Sequence, residues 1–449
     1  MMPYCAKTFY IKVSSFNRTQ PPPLPCFERK VIFMGSAKLF NDGKNLSGLA
    51  NLGLTSLSHF INDGTVIFVP LVADLLSVER DMSPLLVTLM LLLFYGISSP
   101  SSAYVGRLVD RSGRSGFYMG LGLLLLAAGL FGFFISVQTF AEPIYYDISL
   151  VSSAVSGLGS AFYHPIGATI LQSSFKEKSR GKALGVNGAV GSLGRAVYPV
   201  LFFIFSAYMA KSGSLLSFGI IGFAASMIVF AFMWREPGAT TKSKGIQASH
   251  GFKNALTKGI IILTVVAFAR SAVTQGIISW APEYFTYGKS LGFSASLGIA
   301  LTTMYAAGII GQPMFGLLVG KMNKRVLLAV SFIGTSLSLF AYLYVSGLFT
   351  TLFLALFGLF TFSGFPLFFS LTSDYVPRGS STTGNALVWG LGMTGGSVIG
   401  PLLPPLITGG SFAGLTFAFA VLALINLLII AGIFMLPEVS EVGKVSLFG

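Results

Sequence analysis

Residues 57–69 read LSHFINDGTVIFV, and they lie inside a long apolar run of about 49–76. His59, Asn62 and Asp63 interrupt that run near its middle. A run of this length spans a bilayer as a helix. A charged side chain at the centre of such a helix costs roughly 2.5–3.5 kcal/mol or more, so it is seldom idle. His59 and Asp63 are four residues apart and share one helix face. Two uses fit the pair. Asp63 either fixes helix packing through a salt bridge, or forms a proton or substrate site in a transport core.

The rest of the chain has the same character. Of its 449 residues, 53% are hydrophobic and 10% charged, and the mean hydropathy is +0.78. Soluble domains are about a quarter charged, so the solvent of this chain is lipid. Both cysteines, Cys5 and Cys26, precede the first apolar run and define neither a disulfide framework nor a metal site. The net charge of +14 would point to nucleic acid on a soluble protein. Here the basic residues fall between apolar runs, where they set orientation. No nucleic-acid partner is expected.

Twelve apolar stretches follow a polar start, at about 49–76, 84–107, 116–137, 146–171, 183–209, 214–234, 259–283, 292–319, 326–346, 349–373, 385–408 and 412–435. With both termini inside, the inner segments hold 24 of the 29 Lys and Arg, and the outer loops hold Arg80, Lys211 and Lys289. That asymmetry predicts a multi-pass protein of the cell membrane with cytoplasmic termini. Residues 1–47, with the prolines of 21–25, read as a disordered basic tail, within which Met34 is a candidate start. Residues 48–234 form a first six-helix bundle, 235–258 a polar cytoplasmic loop, 259–436 a second bundle, and 437–449 a cytoplasmic tail. The bundles repeat. GRLVDRSGRS at 106–115 is echoed by GLLVGKMNKR at 316–325, and GKALG at 181–185 by GNALV at 384–388. His164-Pro165 and Phe365-Pro366 hold matching places. Parallel six-helix repeats with a mid-depth site between them are a transporter plan.

The loop GRLVDRSGRSG resembles the signature between the second and third helices of the major facilitator superfamily, with Gly106, Asp110, Arg111, Gly113 and Arg114 in place. The resemblance covers about 48–436 and implies an all-α membrane protein of twelve transmembrane helices in two pseudo-symmetric halves. In that family the loop is cytoplasmic, and its acid holds the outward-open state together. A carboxylate near a helix N-terminus gains roughly 0.3–1 kcal/mol, and Arg pairs add to it. The second copy has Gly320 in the acid's place, so only the first loop is expected to act this way. SHFIND in the first span and FYHP in the fourth are similar to the fosmidomycin-resistance branch. The fourth span has Ser153 near the place where many drug–proton antiporters carry Arg, and the Gly185, Gly188, Gly191, Gly194 ladder with Pro199 only loosely follows the antiporter pattern.

Five ionisable residues fall well inside the spans: His59, Asp63, His164, Arg195 and Arg270. The resemblance implies that spans 1, 4, 7 and 10 line the cavity with 2, 5, 8 and 11 beside them, which suits all five. Two permanently charged Arg against one acid leave a positive surplus, and an uncompensated buried charge is costly. A small anionic solute docking on Arg270 or Arg195 would relieve it, with Asp63, His59 and His164 moving protons. Each has a structural alternative. His164 can satisfy a carbonyl freed by Pro165, and Arg195 can pair with Asp63 only to fix the bundle. Asn62, Gln275, Tyr305, Gln312, Trp280 and Trp389 are further candidate lining residues, although polar side chains also glue membrane helices. Glycines near Pro199 and Pro401 point to close helix contact, and no GxxxxGK[ST] nucleotide loop occurs. The expectation is a monomeric secondary transporter working by alternating access, with lipid, protons and a small solute as partners and no metal or cofactor. The alternative is efflux of drugs or amphipathic compounds by proton antiport. A membrane-embedded enzyme or sensor would need a catalytic cluster or signalling domain, and neither is visible.

Overall fold

A computed structural model describes residues 40–41, 45–234, 256–319, 321–347, 349–376 and 384–438. The expected cytoplasmic C-terminal tail and most of the central loop and N-terminal tail lie outside these residues. Within the stretch read as a disordered tail, Phe40–Asn41 pairs antiparallel with Asn45–Leu46.

Among the described residues, ten helices are long and apolar enough to cross a membrane. The longest, Glu177–Met233, is two spans joined where Ala210 leaves helical geometry at φ 61° and ψ 169°. Ile144–Ser174 completes the twelve, its hydropathy lowered by a row of serines. The fold is therefore the expected twelve-helix bundle.

Local chemistry sets most helix ends. Span 1 begins at Gly48, where Ser47 Oγ accepts from Ala50 N at 3.2 Å. It breaks between Gly48–Val66 and Phe68–Glu79. Pro70 has no N–H for Val66, and its ring crowds that carbonyl. Span 2, Pro84–Ser112, opens on a proline after the Ser83 cap and closes on Gly113 at φ 66°, a left-handed stop that suits glycine. Span 3 is Ser115–Gln138 and span 4 Ile144–Ser174. Span 7, Lys258–Ser279, continues through Ala281–Glu283 into the π-turn Tyr284–Gly288. There Pro282 lacks the N–H that Ile278 would accept. Spans 8, 9 and 10 are Ala295–Leu318, Lys324–Tyr344 and Phe349–Tyr375. Span 11 is segmented, a π-helix Ala386–Thr394 followed by short turns to Thr408. Span 12 runs from Phe412 to Phe434.

The packing repeats. Span 4 lies on spans 2 and 3, span 5 on span 1, and span 6 on span 3. In the second half span 10 lies on 8 and 9, span 11 on 7, and span 12 on 9. Without a hydrophobic drive between helices in lipid, small residues let backbones approach. A Cβ on Gly157 would stand 2.5 Å from the Phe94 carbonyl oxygen, and one on Gly358 would reach that of Met304. The ladders of spans 5 and 11 work likewise. Gly194 lies against the Phe60 backbone, and Gly396 against that of Phe268.

The halves touch at one end and part toward the other. On span 5, Gly188, Ser192, Arg195 and Pro199 form one stripe. On span 8, Gly298, Tyr305, Gln312 and Gly316 do the same. A Cβ on Gly298 would stand 3.2 Å from the Pro199 carbonyl oxygen and closer still to the Phe203 ring. At Gly188 and Gly316 nothing lies within 4 Å. An opening therefore leads from mid-depth toward the end that carries the Gly106–Arg114 loop.

Gly358→Ala must push span 10 off span 8, whereas Gly53→Ala meets open space. We expect the first to lower stability by about 1–3 kcal/mol and the second to leave it unchanged or slightly raised, as read by thermal unfolding in detergent.

A buried carboxylate shared by three spans

Asp63 lies at mid-depth with a side chain only 6% exposed, and three spans converge on it. His59, one turn earlier on span 1, brings Nε2 to 3.3 Å from Oδ2. Arg195 of span 5 brings Nε to 3.3 Å from the same oxygen. His164 of span 4 brings Nε2 to 3.6 Å from Oδ1. Asn62 Nδ2 donates to Oδ1 at 3.0 Å. His164 is the open member, with 56% of its side chain exposed, and Arg195 is partly so. The cluster therefore sits at the base of the opening, with Asp63 behind and His164 in front.

The far side of His59 places a proton on Nδ1. Nδ1 lies 2.9 Å from the Asn187 carbonyl oxygen and 3.0 Å from Asn187 Oδ1. The amide is oriented by its neighbours. Oδ1 accepts from Tyr163 OH at 2.8 Å, and Nδ2 donates to Ser56 Oγ at 3.4 Å. Two acceptors on Nδ1 require a proton there. Nε2 is then the ring atom that faces the Asp63 carboxylate. Close approach depends on Gly191, because a Cβ there would stand 2.3 Å from the His59 ring. Tyr163 stacks on that ring at 4.5 Å.

Other expected residues divide between the opening and the bundle interiors. Gln275 bonds to the Tyr95 hydroxyl, and Tyr305 lies near Tyr95 and Arg195. The Arg195 guanidinium lies 5.6 Å from the Phe362 ring of the opposite half. Gln312 is half-buried on the span 8 stripe. Trp280 is buried, its Nε1 donating to the Pro401 carbonyl at 2.9 Å, and so joins spans 7 and 11. Trp389 stacks on Phe369 at 5.0 Å.

The structure does not bring Arg270 to this cluster. It is 4% exposed inside the second bundle. It donates to Asn426 Oδ1 at 2.6 Å, Thr335 Oγ1 at 2.9 Å and the Thr361 carbonyl at 3.4 Å, and stands 4.5 Å over the Phe332 ring. Its fork is filled by spans 9, 10 and 12. The charge count changes accordingly. One Arg, Arg195, faces the one Asp, so no surplus Arg remains at the cluster.

In the signature loop, Gly113 supplies the left-handed stop, Arg111 and Arg114 are exposed, and Gly106 faces open space. The side chain of Asp110 and residue Gly320 lie outside the described residues. His59, Asp63 and His164 offer donor atoms within 4.8 Å of one another, the geometry a metal ion would need. The Arg195 charge on the same carboxylate opposes a dication there.

Asn187, Tyr163 and Tyr95 escape a search for charged residues. Asn187 carried a signal, since it lies one turn before Gly191 on the His59 face. Two further acids, Asp74 and Glu283, lie near span ends and are nevertheless fully buried. Asp74 stands three turns after Asp63 on the helical repeat.

A carboxylate ringed by donors from spans 1, 4 and 5, at the base of an opening between two six-helix halves, defines a polytopic secondary transporter. Over residues 52–389 the chain matches the Major Facilitator Superfamily, and it belongs to that superfamily. Its fold is similar to a bacterial homologue of the human lysosomal transporter Spinster in an inward-facing, unoccupied conformation, with TM-score 0.70, 14% identity and 88% and 97% of the two chains covered. It is also similar to a mutant of the nucleoside transporter NupG, with TM-score 0.67, 14% identity and 87% and 100% covered. For a mutant of the E. coli fucose:proton symporter FucP the values are 0.58, 16%, and 87% and 100%. No curated protein sequence matches the chain significantly.

Arg270→Lys cannot satisfy Asn426, Thr335 and Thr361 together. We expect about 1.5–3 kcal/mol lower stability, the worth of a hydrogen bond to a charged group, with substrate affinity unchanged when unfolding and binding are measured side by side.

Proposed function

We propose that the protein moves a small anionic organic solute by alternating access, coupled to protons. Asp63, His59 and His164 carry the proton, and Arg195 receives the anion. The observation that carries this reading is the Arg195–Asp63 contact at 3.3 Å beside the half-exposed His164. An anion arriving at Arg195 competes with Asp63 for the guanidinium. As that pair loosens, Asp63 keeps a burial cost without its counter-charge, and proton uptake relieves it. Anion and proton then enter the site together, which neutralises both. Tyr95, Gln275 and Tyr305 supply hydrogen bonds beside the guanidinium, and Phe362 an apolar wall.

The basic-residue asymmetry supports cytoplasmic termini in a cell-membrane protein, and in that orientation the opening faces inward. The protein acts as a monomer, each chain holding its own site. Efflux of amphipathic compounds is the competing use, favoured by the aromatic wall. It depends on Asp63 and spares Arg195, which separates the two readings. The similarity of SHFIND and FYHP to the fosmidomycin-resistance branch rests on those two motifs.

In proteoliposomes with a panel of carboxylate, phosphate and phosphonate solutes, Asp63→Asn is expected to abolish transport driven by a pH gradient while leaving binding. Arg195→Gln is expected to weaken anion binding about 10- to 100-fold, the equivalent of about 1.5–3 kcal/mol for a hydrogen bond to a charge. Proton-driven transport by Asp63→Asn at the native rate would remove Asp63 as carrier. Transport of lipophilic cations unaffected by Arg195→Gln would favour the efflux reading.

A further inference from the structure

The closed end of the opening contains a second ionisable pair, unrelated to Asp63. Asp74 of span 1 and Glu283 at the end of span 7 are both 0% exposed. The helix Phe68–Glu79 packs on Ala281–Glu283 across the two halves, and the charge of Asp74 acts directly on Glu283. Asp74 Oδ2 accepts from Thr286 Oγ1 at 2.7 Å, while Oδ1 has no partner. Neither oxygen of Glu283 has a hydrogen-bond partner outside its own residue. Around them the halves are sealed. Tyr287 OH donates to Ser77 Oγ at 3.0 Å, and Phe202 and Phe203 lie 5.9 and 5.1 Å from Phe293.

The charge of Lys211 acts on Asp74 but is shared with a third acid. Lys211 is engaged by Glu79 at 2.5 Å and lies 5.0 Å from the Phe293 ring. Tyr287, whose hydroxyl is committed to Ser77, feels both acids and the exposed Asp81. Two facing carboxylates in a dry interface cannot both be ionised, so at least one holds a proton. That proton removes one of the two buried charges. Because one acid belongs to each half, the shelter lasts only while the halves touch at this end. Once they part, each carboxyl meets water and ionises.

We propose that Asp74 and Glu283 form a second proton-binding site, occupied while this end is closed and emptied when it opens. Closure takes up a proton from water at that end, and opening returns it to the same side. The equilibrium between the two conformations then follows the pH of that compartment, whatever occupies Asp63. Higher pH favours parting, and lower pH favours the sealed form.

The test uses full-length protein with Cys5 and Cys26 changed to Ser. Spin labels go on Ala141→Cys and Ser290→Cys, exposed positions in loops of the two halves at this end. Double electron–electron resonance then reads the distance between them. The ratio of long to short distances is expected to rise with pH, by up to about tenfold per pH unit for one linked proton. Glu283→Gln and Asp74→Asn mimic the protonated acids and should keep the short distance at every pH. The native response should persist with Asp63→Asn, which separates this site from the transport site. No pH response in the native protein would overturn the proposal, as would a native response retained by both amide variants. Should those variants fail to fold, dicyclohexylcarbodiimide, which attacks protonated carboxyls in apolar surroundings, is applied to the native protein. An adduct on Asp74 or Glu283 that declines as pH rises is expected, and mass spectra with neither residue modified at any pH would overturn it.

Discussion

A carboxylate in a lipid-spanning bundle has no water to stabilise it, and Asp63 must be supplied with donors by its neighbours. Two come from its own helix, Asn62 and His59, and two from spans 4 and 5, His164 and Arg195. The glycines of span 5 follow from the same requirement. Without Gly191 the His59 ring has no room, and without Gly194 the two helices stand farther apart. Asn187 then fixes the tautomer from behind. One buried charge thus sets the composition of three helices.

The two halves meet the same problem differently. At the repeat offset of about 211, Arg270 stands where His59 does. The second half satisfies it internally, through Asn426, Thr335, Thr361 and the Phe332 ring. Both cores are polar and bonded, but only the first presents its charges to the opening.

The opening itself reflects where small and large residues fall along facing stripes. Pro199, Phe203, Phe293 and Gly298 fit closely, and beyond them Gly188 and Gly316 leave space. Asp74 and Glu283 lie within the fitted part, on opposite halves. Both are buried there with oxygens that lack hydrogen-bond partners, unlike the apolar contacts around them.

The sequence by itself determined the solvent, the spans and the repeat. Lipid obliges each span to satisfy its own backbone and to be apolar for its full length, and the GRLVDRSGRSG loop with its echo is local in the chain. It also marked His59, Asp63, His164 and Arg195, since charges in apolar runs are conspicuous. Only the tertiary structure decided which of them meet. Helices apolar on every face carry little sign of how each is rotated, so His59, Arg195 and Arg270 looked equivalent until packing turned Arg270 into its own bundle. Neutral Asn187 and Tyr163 gave no charge to notice, and Asp74 and Glu283 lay too near span ends to look buried. Each acquires its meaning from a partner more than twenty residues away, a relation fixed by folding and absent from any single stretch of chain.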